Sequence, residues 1–358
     1  MAAGTKQQAA ASAAAWRGRG GALMLPVALL AASLLAAPAM GEGGQRSGEA
    51  ARLRVALCVV GQVARLETAT KLTNLIQTNI AEGVDMDVFL VLQSGEARFT
   101  NTPHLACQVA PKSVKDAAAI FGKVTHTNIV PHEFGDYALP AEKWAHYPEK
   151  GQQRVQRLTN HLNQYLSWKR CARAVADAEL GNGGPYDAVL RMRDNGLVLR
   201  PFHLRRMLAM QVFESATRFG RPKPQAVTHE HVRVLPVLVK MCSGWGGLND
   251  KTMLVPRLRM NAALSGPADE FFLIPKGENR TAPKEPMKVN NPETYLKYVM
   301  GKLKVPVRRV RNPDDFPITD GRCEKGKLFC LVHHAKDCRP RSSVDIPDCK
   351  EDYFKKNV

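Results

Sequence analysis

Arg191, Arg193, Asp194 and Asn195 crowd the end of one short apolar run, "YDAVLRMRDNG". Side chains of a strand alternate between faces, so Asp187, Val189, Arg191 and Arg193 share one face. Two guanidiniums placed that way can grip a diphosphate in a bidentate fashion. Asp194 and Asn195 carry the carboxylate and carbonyl oxygens that magnesium or manganese takes. The plainer alternative is a solvated rim, with Asp194 paired to an arginine and Asn195-Gly196 forming a turn. A second cluster stands in "CSGWGGLNDK". Gly246 and Gly247 allow close backbone approach, Asn249 and Asp250 can serve as ligands or base, and Lys251 can meet a phosphate or carboxylate. A Gly-rich hairpin tip explains the same residues. The third candidate is "GQVAR". Gly61 lets backbone N–H groups face a ligand, the following helix start attracts phosphate, and Arg65 can reach back over the opening. It is neither a GxGxxG nor a Walker motif, and a simple strand-to-helix turn also accounts for Gly61.

These residues need elements to hold them. Val55 to Val60 is a continuous apolar run ended by Gly61, the pattern of a strand buried on both faces. Ala69, Leu72, Ile76 and Ile80 recur at helical spacing, and Val88–Leu92 reads as a second buried strand. This β-α-β unit implies a parallel sheet. A short helix in "SVKDAAAIFGKV" and a strand in "THTNIV" follow. A long helix is expected over Gln152 to Leu180, with Val155, Leu158, Leu162, Tyr165 and Trp168 on one side. Beyond the "YDAVLRMRDNG" strand come a helix near Phe202–Gln211, a strand around Val232–Val239, the strand "TMLVP" and a helix near Arg257–Ala263. Residues 264–290 read as a loop. Asn291 caps a helix that opens on Pro292 and runs to Lys302, and "VPVRRVR" reads as the final strand. Alternating strands and helices predict one α/β domain with a doubly wound, mostly parallel sheet. Gly61–Arg65, Arg191–Gly196 and Gly244–Lys251 then fall at strand carboxyl ends, where open α/β sheets bind ligands.

The 358-residue chain has a net charge of +18, and residues 1–50 hold only four basic and two acidic residues, so nearly all the excess belongs to the remainder. Such a surface suits anionic partners. No zinc-finger spacing, RNP-like aromatic run or basic heptad helix is present, so nucleic acid is not expected. Residues 21–41 carry no charge and follow Lys6, Arg17 and Arg19. That flank predicts a cytoplasmic N-terminus and a lumenal body. A single-pass type II anchor in Golgi or ER, a cleaved signal peptide with a secreted product, and an organelle transit peptide all fit the stretch. Asn279-Arg280-Thr281 is a glycosylation acceptor sequence. Of eight cysteines, Cys323, Cys330, Cys338 and Cys349 fall in the last 36 residues. They predict two disulfides stapling a tail too short for its own core, with zinc as the rival because His333 and His334 lie between them. Cys58 reads as core.

The order of the pieces "RVALCVVGQVAR", "VDMDVFLVLQ", "YDAVLRMRDN", "GGLNDK" and "NPETYLKYVMGKLKVPVRRV" resembles that of uncharacterised glycosyltransferase-like proteins of algae, plants, microbes and large viruses. The resemblance spans about Leu53 to Arg311. It implies a GT-A, nucleotide-diphospho-sugar transferase-like fold that takes a nucleotide-sugar donor, a divalent cation and a glycan or protein acceptor. It places Gly61 and Arg65 near the nucleotide, and Arg191, Arg193 and Asn195 at the donor diphosphate and metal. Asp250 falls on the acceptor side as base, while Glu293 only caps a helix. One departure bears on metal binding and turnover: the family's Asp after a spacer is Asn195 here, with Asp194 one place early. The organisation expected is a tail and anchor or signal peptide over 1–41, a stem over 42–52, a GT-A-like domain over 53–312 and a Cys-rich tail over 313–358. The function expected is sugar transfer in the secretory pathway. The alternative is an inactive lumenal or secreted protein of the same fold that binds glycan or nucleotide-sugar.

Overall fold

A computed structural model describes residues 52–94, 111–132, 150–181, 184–220, 226–241, 246–273, 289–311, 315–324 and 327–330, with a few single positions between these stretches. Strand β1 (Arg54–Gln62) ends in a 3-10 turn, Val63–Arg65. A π-helical stretch, Lys71–Gln77, runs into α1 (Thr78–Ala81) and leads to β2 (Asp85–Gln93). Helix α2 (Val114–Gly122) starts where the Ser113 side chain accepts the Asp116 N–H, and β3 (Thr127–Ile129) follows. The long α3 (Gly151–Gly181) precedes β4 (Ala188–Arg193) and β5 (Gly196–Val198). Next come α4 (Leu204–Arg218), α5 (His229–Arg233), β6 (Val237–Lys240) and β7 (Thr252–Pro256). Then α6 (Gly266–Asp269), α7 (Pro292–Lys302) and β8 (Val307–Val310) lead to a hairpin of β9 (Ile318–Glu324) and β10 (Lys327–Cys330).

Seven strands form one sheet in the order β3-β2-β1-β4-β7-β6-β8. All pairings are parallel except those of β7, which runs against β4 and β6. The sheet is therefore mostly parallel and covered on both faces, as the strand–helix alternation predicts. Period-2 alternation sorts its side chains into two cores. Cys58, Phe89 and Val189 pack with Leu162, Tyr165 and Trp168 of α3 and with Leu296 and Val299 of α7. Leu57, Leu90 and Leu190 pack on the other face with Leu75, Ile76, Phe121, Met207 and Leu208. Each such large apolar side chain, once fully buried, contributes about 1.5–3 kcal/mol.

The structure departs from the sequence expectations at several points. Val232 and Arg233, expected at the start of a strand, belong to α5, because Thr228 and His231 close a capping box there, and β6 begins only at Val237. Part of the stretch expected as a loop is helical: a π-helical turn, Asn261–Ser265, continues through α6 to the 3-10 turn Phe271–Leu273. Strand β8 is not the last. β9 pairs antiparallel with β5, burying Phe316 and Ile318, so the segment after 312 enters the fold before the tail begins. Cys58 is bridged to Cys171 of α3, with Cα atoms 6.2 Å apart, and is not a plain core residue. Of the four tail cysteines, Cys323 and Cys330 lie on β9 and β10, while Cys338 and Cys349 fall outside the described residues, as does Asn279. Among the described residues no helix is long and apolar enough to cross a membrane, and the apolar run 21–41 lies outside them.

The bridge closes a separation of 113 residues between β1 and α3. Non-reducing peptide mapping of the full chain should recover a peptide joining Cys58 to Cys171. Cys171→Ala should lower the unfolding free energy by about 2–5 kcal/mol. Two free thiols at these positions, or an unchanged denaturation midpoint, would contradict the pairing.

Candidate functional site

Strand β1 is the point at which the chain reverses its direction of winding. From β1 it steps outward to β2 and β3, then returns through α3 to place β4 on the other side of β1. In an open α/β sheet the crevice at such a point, outside the strands' carboxyl ends, is where ligands bind. A cleft of about 250 Å³ lies there. Gly61 and Gln62 of β1, Arg65, Arg191 and Arg193 of β4, and Asp194 line one side of it. Arg157, Asn160, His161, Gln164 and Ser167 of α3 line the other.

Asp194 is fully buried and fixes this end of the sheet. Its Oδ2 accepts from the Gln62 N–H at 2.7 Å and Arg65 Nε at 2.9 Å. Its Oδ1 accepts from Arg65 Nη2 at 3.1 Å and from the Asn195 N–H at 2.9 Å. The carboxylate sits where a side chain on Gly61 would go: a Cβ there would lie 2.4 Å from Asp194 Cγ, and Gly61 has a φ of 140°. Gly61 is therefore glycine because of Asp194. Lys71, fully buried on the π-helical stretch, donates to the carbonyls of Glu67 at 2.8 Å, Asp194 at 2.9 Å and Gly196 at 2.5 Å. Burial holds its ammonium pKa below the usual lysine range, against the pull of Glu67 and Asp194.

Arg193 carries the site into a second layer. Its Nη2 donates to Gln164 Oε1 at 2.8 Å and to Asp250 Oδ2 at 3.0 Å. Gln164 Nε2 also donates to Asp250 Oδ2, at 2.9 Å. Lys251 Nζ bridges Asp250 Oδ1 and Glu293 Oε1, each at 3.1 Å. Burial pushes the Asp250 carboxyl up, but Arg193 and Lys251 outweigh it and hold the group well below the carboxylate range. Burial and the neighbouring Asp250 push Glu293 up. Arg191 is fully buried on the floor of the cleft, with its guanidinium 4.0 Å from the centre of the Trp168 ring. Its Nη1 donates to the Asp250 carbonyl, while Nε and Nη2 meet no hydrogen-bond partner among the described residues. Burial, then Arg193, lowers its pKa to about 9. Both amide atoms of the buried Gln62 likewise lack a partner among the described residues. Burial, with Arg157, lowers His161 to about 3, so its ring is neutral near pH 7.

The sequence candidates thus separate into layers. Gly61, Arg65, Arg191, Arg193 and Asp194 meet at one cleft. Asp250 stands behind it, its carboxylate taken up by Arg193, Gln164 and Lys251. A group so strongly ion-paired is a weak proton acceptor, which argues against the role of catalytic base expected for it. Gly246, Gly247 and Lys251 are not at the cleft. A Cβ on Gly247 would lie 1.9 Å from the Glu293 carbonyl oxygen, so the loop is glycine-rich in order to pack on the start of α7. Lys251 bridges two carboxylates there. Asp194 does not fit a magnesium or manganese ion: four N–H groups already occupy its acceptor positions, two of them from a guanidinium. Asn195 adds no second carboxylate, and no three-ligand His, Cys, Asp or Glu group stands among the described residues. The polar side of α3 was not anticipated. Its signal is the spacing of Arg157, Asn160, His161 and Gln164, three and four residues apart, on the face flanking the apolar stripe.

No family model and no curated protein matches the chain. Among solved structures it is similar to mouse xyloside xylosyltransferase 1 in its apo form, at 9% identity and a TM-score of 0.31, over 72% of this chain and 85% of that one. It is also similar to the PaToxG glycosyltransferase, at 8% identity and a TM-score of 0.27, over 70% of this chain and 67% of that one. Likeness at this level carries no weight of its own, and the fold rests on the strand order.

Gly61→Ala should cost about 2 kcal/mol or more of unfolding free energy, because the added methyl displaces a buried carboxylate from its donors. Chemical denaturation followed by circular dichroism measures this. A variant as stable as the parent would show that Asp194 does not depend on the glycine.

Proposed function

We propose that the cleft receives the diphosphate of a nucleotide-sugar and that the protein transfers the sugar to a glycan or protein acceptor. The observation that carries this reading is the set of four arginines, Arg65, Arg157, Arg191 and Arg193, gathered at the crevice where the winding of the sheet reverses. The GT-A-like order of sequence motifs supports the same reading. In sugar transfer the nucleoside diphosphate leaves with growing negative charge. Fixed guanidiniums aimed at that charge, in a site with little water, stabilise it. Arg193 and Arg157 supply charge from facing sides of the cleft, and the Gln62 amide offers a donor and an acceptor for orientation. Asp250 holds Arg193 in place in this scheme. The Cys58–Cys171 bridge supports an oxidising compartment, in keeping with a secretory location and with an anchor or signal peptide in residues 21–41.

A second reading, donor or glycan binding without turnover, is favoured by one feature. Asp194 is the carboxylate lining the cleft among the described residues, and its oxygens are saturated.

Titration calorimetry of the full chain with UDP and GDP should detect binding of at least one of them. Arg193→Ala should weaken that binding by about 1.5–3 kcal/mol, the range for a hydrogen bond to a charged group. Circular dichroism should accompany the titration, since Asp250 loses a partner in the variant. Equal affinity in a folded variant would contradict the site. Binding by the parent without sugar transfer or donor hydrolysis would select the second reading.

A further inference from the structure

We propose that the cleft binds its nucleoside diphosphate without a divalent cation, using guanidinium groups where a metal-dependent site would place the ion. This inference rests on the nucleotide reading above and adds how the charge is met.

The first ground is the charge of the lining. Four guanidiniums line the cleft against one carboxylate, that of Asp194, and the positive groups still outnumber the negative ones when Asp250, paired to Arg193 at 3.0 Å, is included. His161 adds no negative charge and is neutral near pH 7. A divalent cation entering this space would meet net repulsion, whereas a diphosphate would meet net attraction. The second ground is the state of Asp194. A metal ligand needs a lone pair aimed at the ion, and each Asp194 oxygen already accepts two N–H groups at 2.7–3.1 Å. To reach a metal, the carboxylate would have to release both the Arg65 guanidinium and the Gln62 N–H, and with them the end of β1. Asp250 is no better placed, because Arg193, Gln164 and Lys251 hold its oxygens.

The third ground is independent of charge. Arg191 and Gln62 are 0% and 1% exposed, line the cleft, and keep polar atoms with no hydrogen-bond partner among the described residues. Buried donors left unmade are costly, so they mark where a ligand supplies acceptors. Arg191 Nε and Nη2 are two such donors on one planar group, a shape suited to paired phosphate oxygens.

Titration calorimetry of the full chain with UDP, GDP and inorganic pyrophosphate, first in EDTA and then with manganese, tests the proposal. The dissociation constant for the binding nucleotide should differ by less than about threefold between the two conditions. Arg157→Ala, at the opposite wall and away from the Asp194 network, should weaken binding about tenfold or more in both. Binding that requires manganese, or that manganese strengthens more than about tenfold, would overturn metal independence and leave the nucleotide reading intact. Pyrophosphate binding in EDTA without nucleotide binding would keep the cation-free anion cleft and overturn the nucleotide reading. Absence of binding by all three probes in both conditions would overturn both.

Discussion

The buried carboxylate of Asp194 joins the carboxyl ends of β1 and β4, and the shape of the cleft depends on it. Its side chain accepts four N–H groups. Its own N–H donates to the Val60 carbonyl at 2.9 Å, and its carbonyl receives the Glu67 N–H at 3.0 Å and Lys71 Nζ at 2.9 Å. Thus one residue organises β1, the 3-10 turn, the π-helical stretch and the turn into β5. A buried charge is tolerable only when its hydrogen-bonding positions are filled, and removing one partner of such a pair typically costs about 3–5 kcal/mol. The network is thus a constraint on its neighbours: position 61 must be glycine, and position 71 must reach three carbonyls from a buried site.

The same constraint sets what the cleft can do chemically. Because the oxygens of Asp194 are taken by protein N–H groups, the cleft is lined by four guanidiniums and, among the described residues, by no carboxylate with an open acceptor position. Arg193 is held from behind by Asp250 and from the facing wall by Gln164 of α3, which fixes its guanidinium before any ligand arrives. Preorganised charge of this kind loses little when it meets a departing anion. Helix α3 forms the opposite wall, and its position relative to β1 is locked lower down by the bridge between Cys58 and Cys171. Trp168, one turn before that bridge, carries the Arg191 guanidinium on its face.

Where a single period governs the residues, the sequence was legible. The unbroken apolar run of β1, the alternation in β4, the stripe of Leu158, Leu162, Tyr165 and Trp168, and the Asn291-Pro292 cap all appear as expected. Each is a local property. The strand expected near Val232 became α5 because a threonine–histidine cap overrode an apolar run too short to distinguish strand from helix. The pairing of β9 with β5 joins residues more than a hundred positions apart, and no local pattern announces it. Within the site, residue types showed where charge would collect but not which charges cancel. Asp250 and Lys251 looked like groups free to meet a ligand, and three-dimensional packing gives each a protein partner; for Asp194 the sequence left open both a metal-ligand role and a pair with an arginine, and Arg65 takes its oxygens. Gly247 looked like a phosphate-facing glycine, and the start of α7 occupies that space. The bridge from Cys58 was hidden because a cysteine in an apolar strand reads the same whether bonded or not.

A crystal structure of the full chain grown with whichever of UDP or GDP binds is the most direct measurement of the account. The diphosphate should lie in the cleft between β4 and α3, within hydrogen-bond distance of Arg191, Arg193, Arg157 and the Gln62 amide, with Asp194 still paired to Arg65. A nucleotide bound elsewhere, or a cation held between its phosphates and Asp194 with Arg65 displaced, would contradict it.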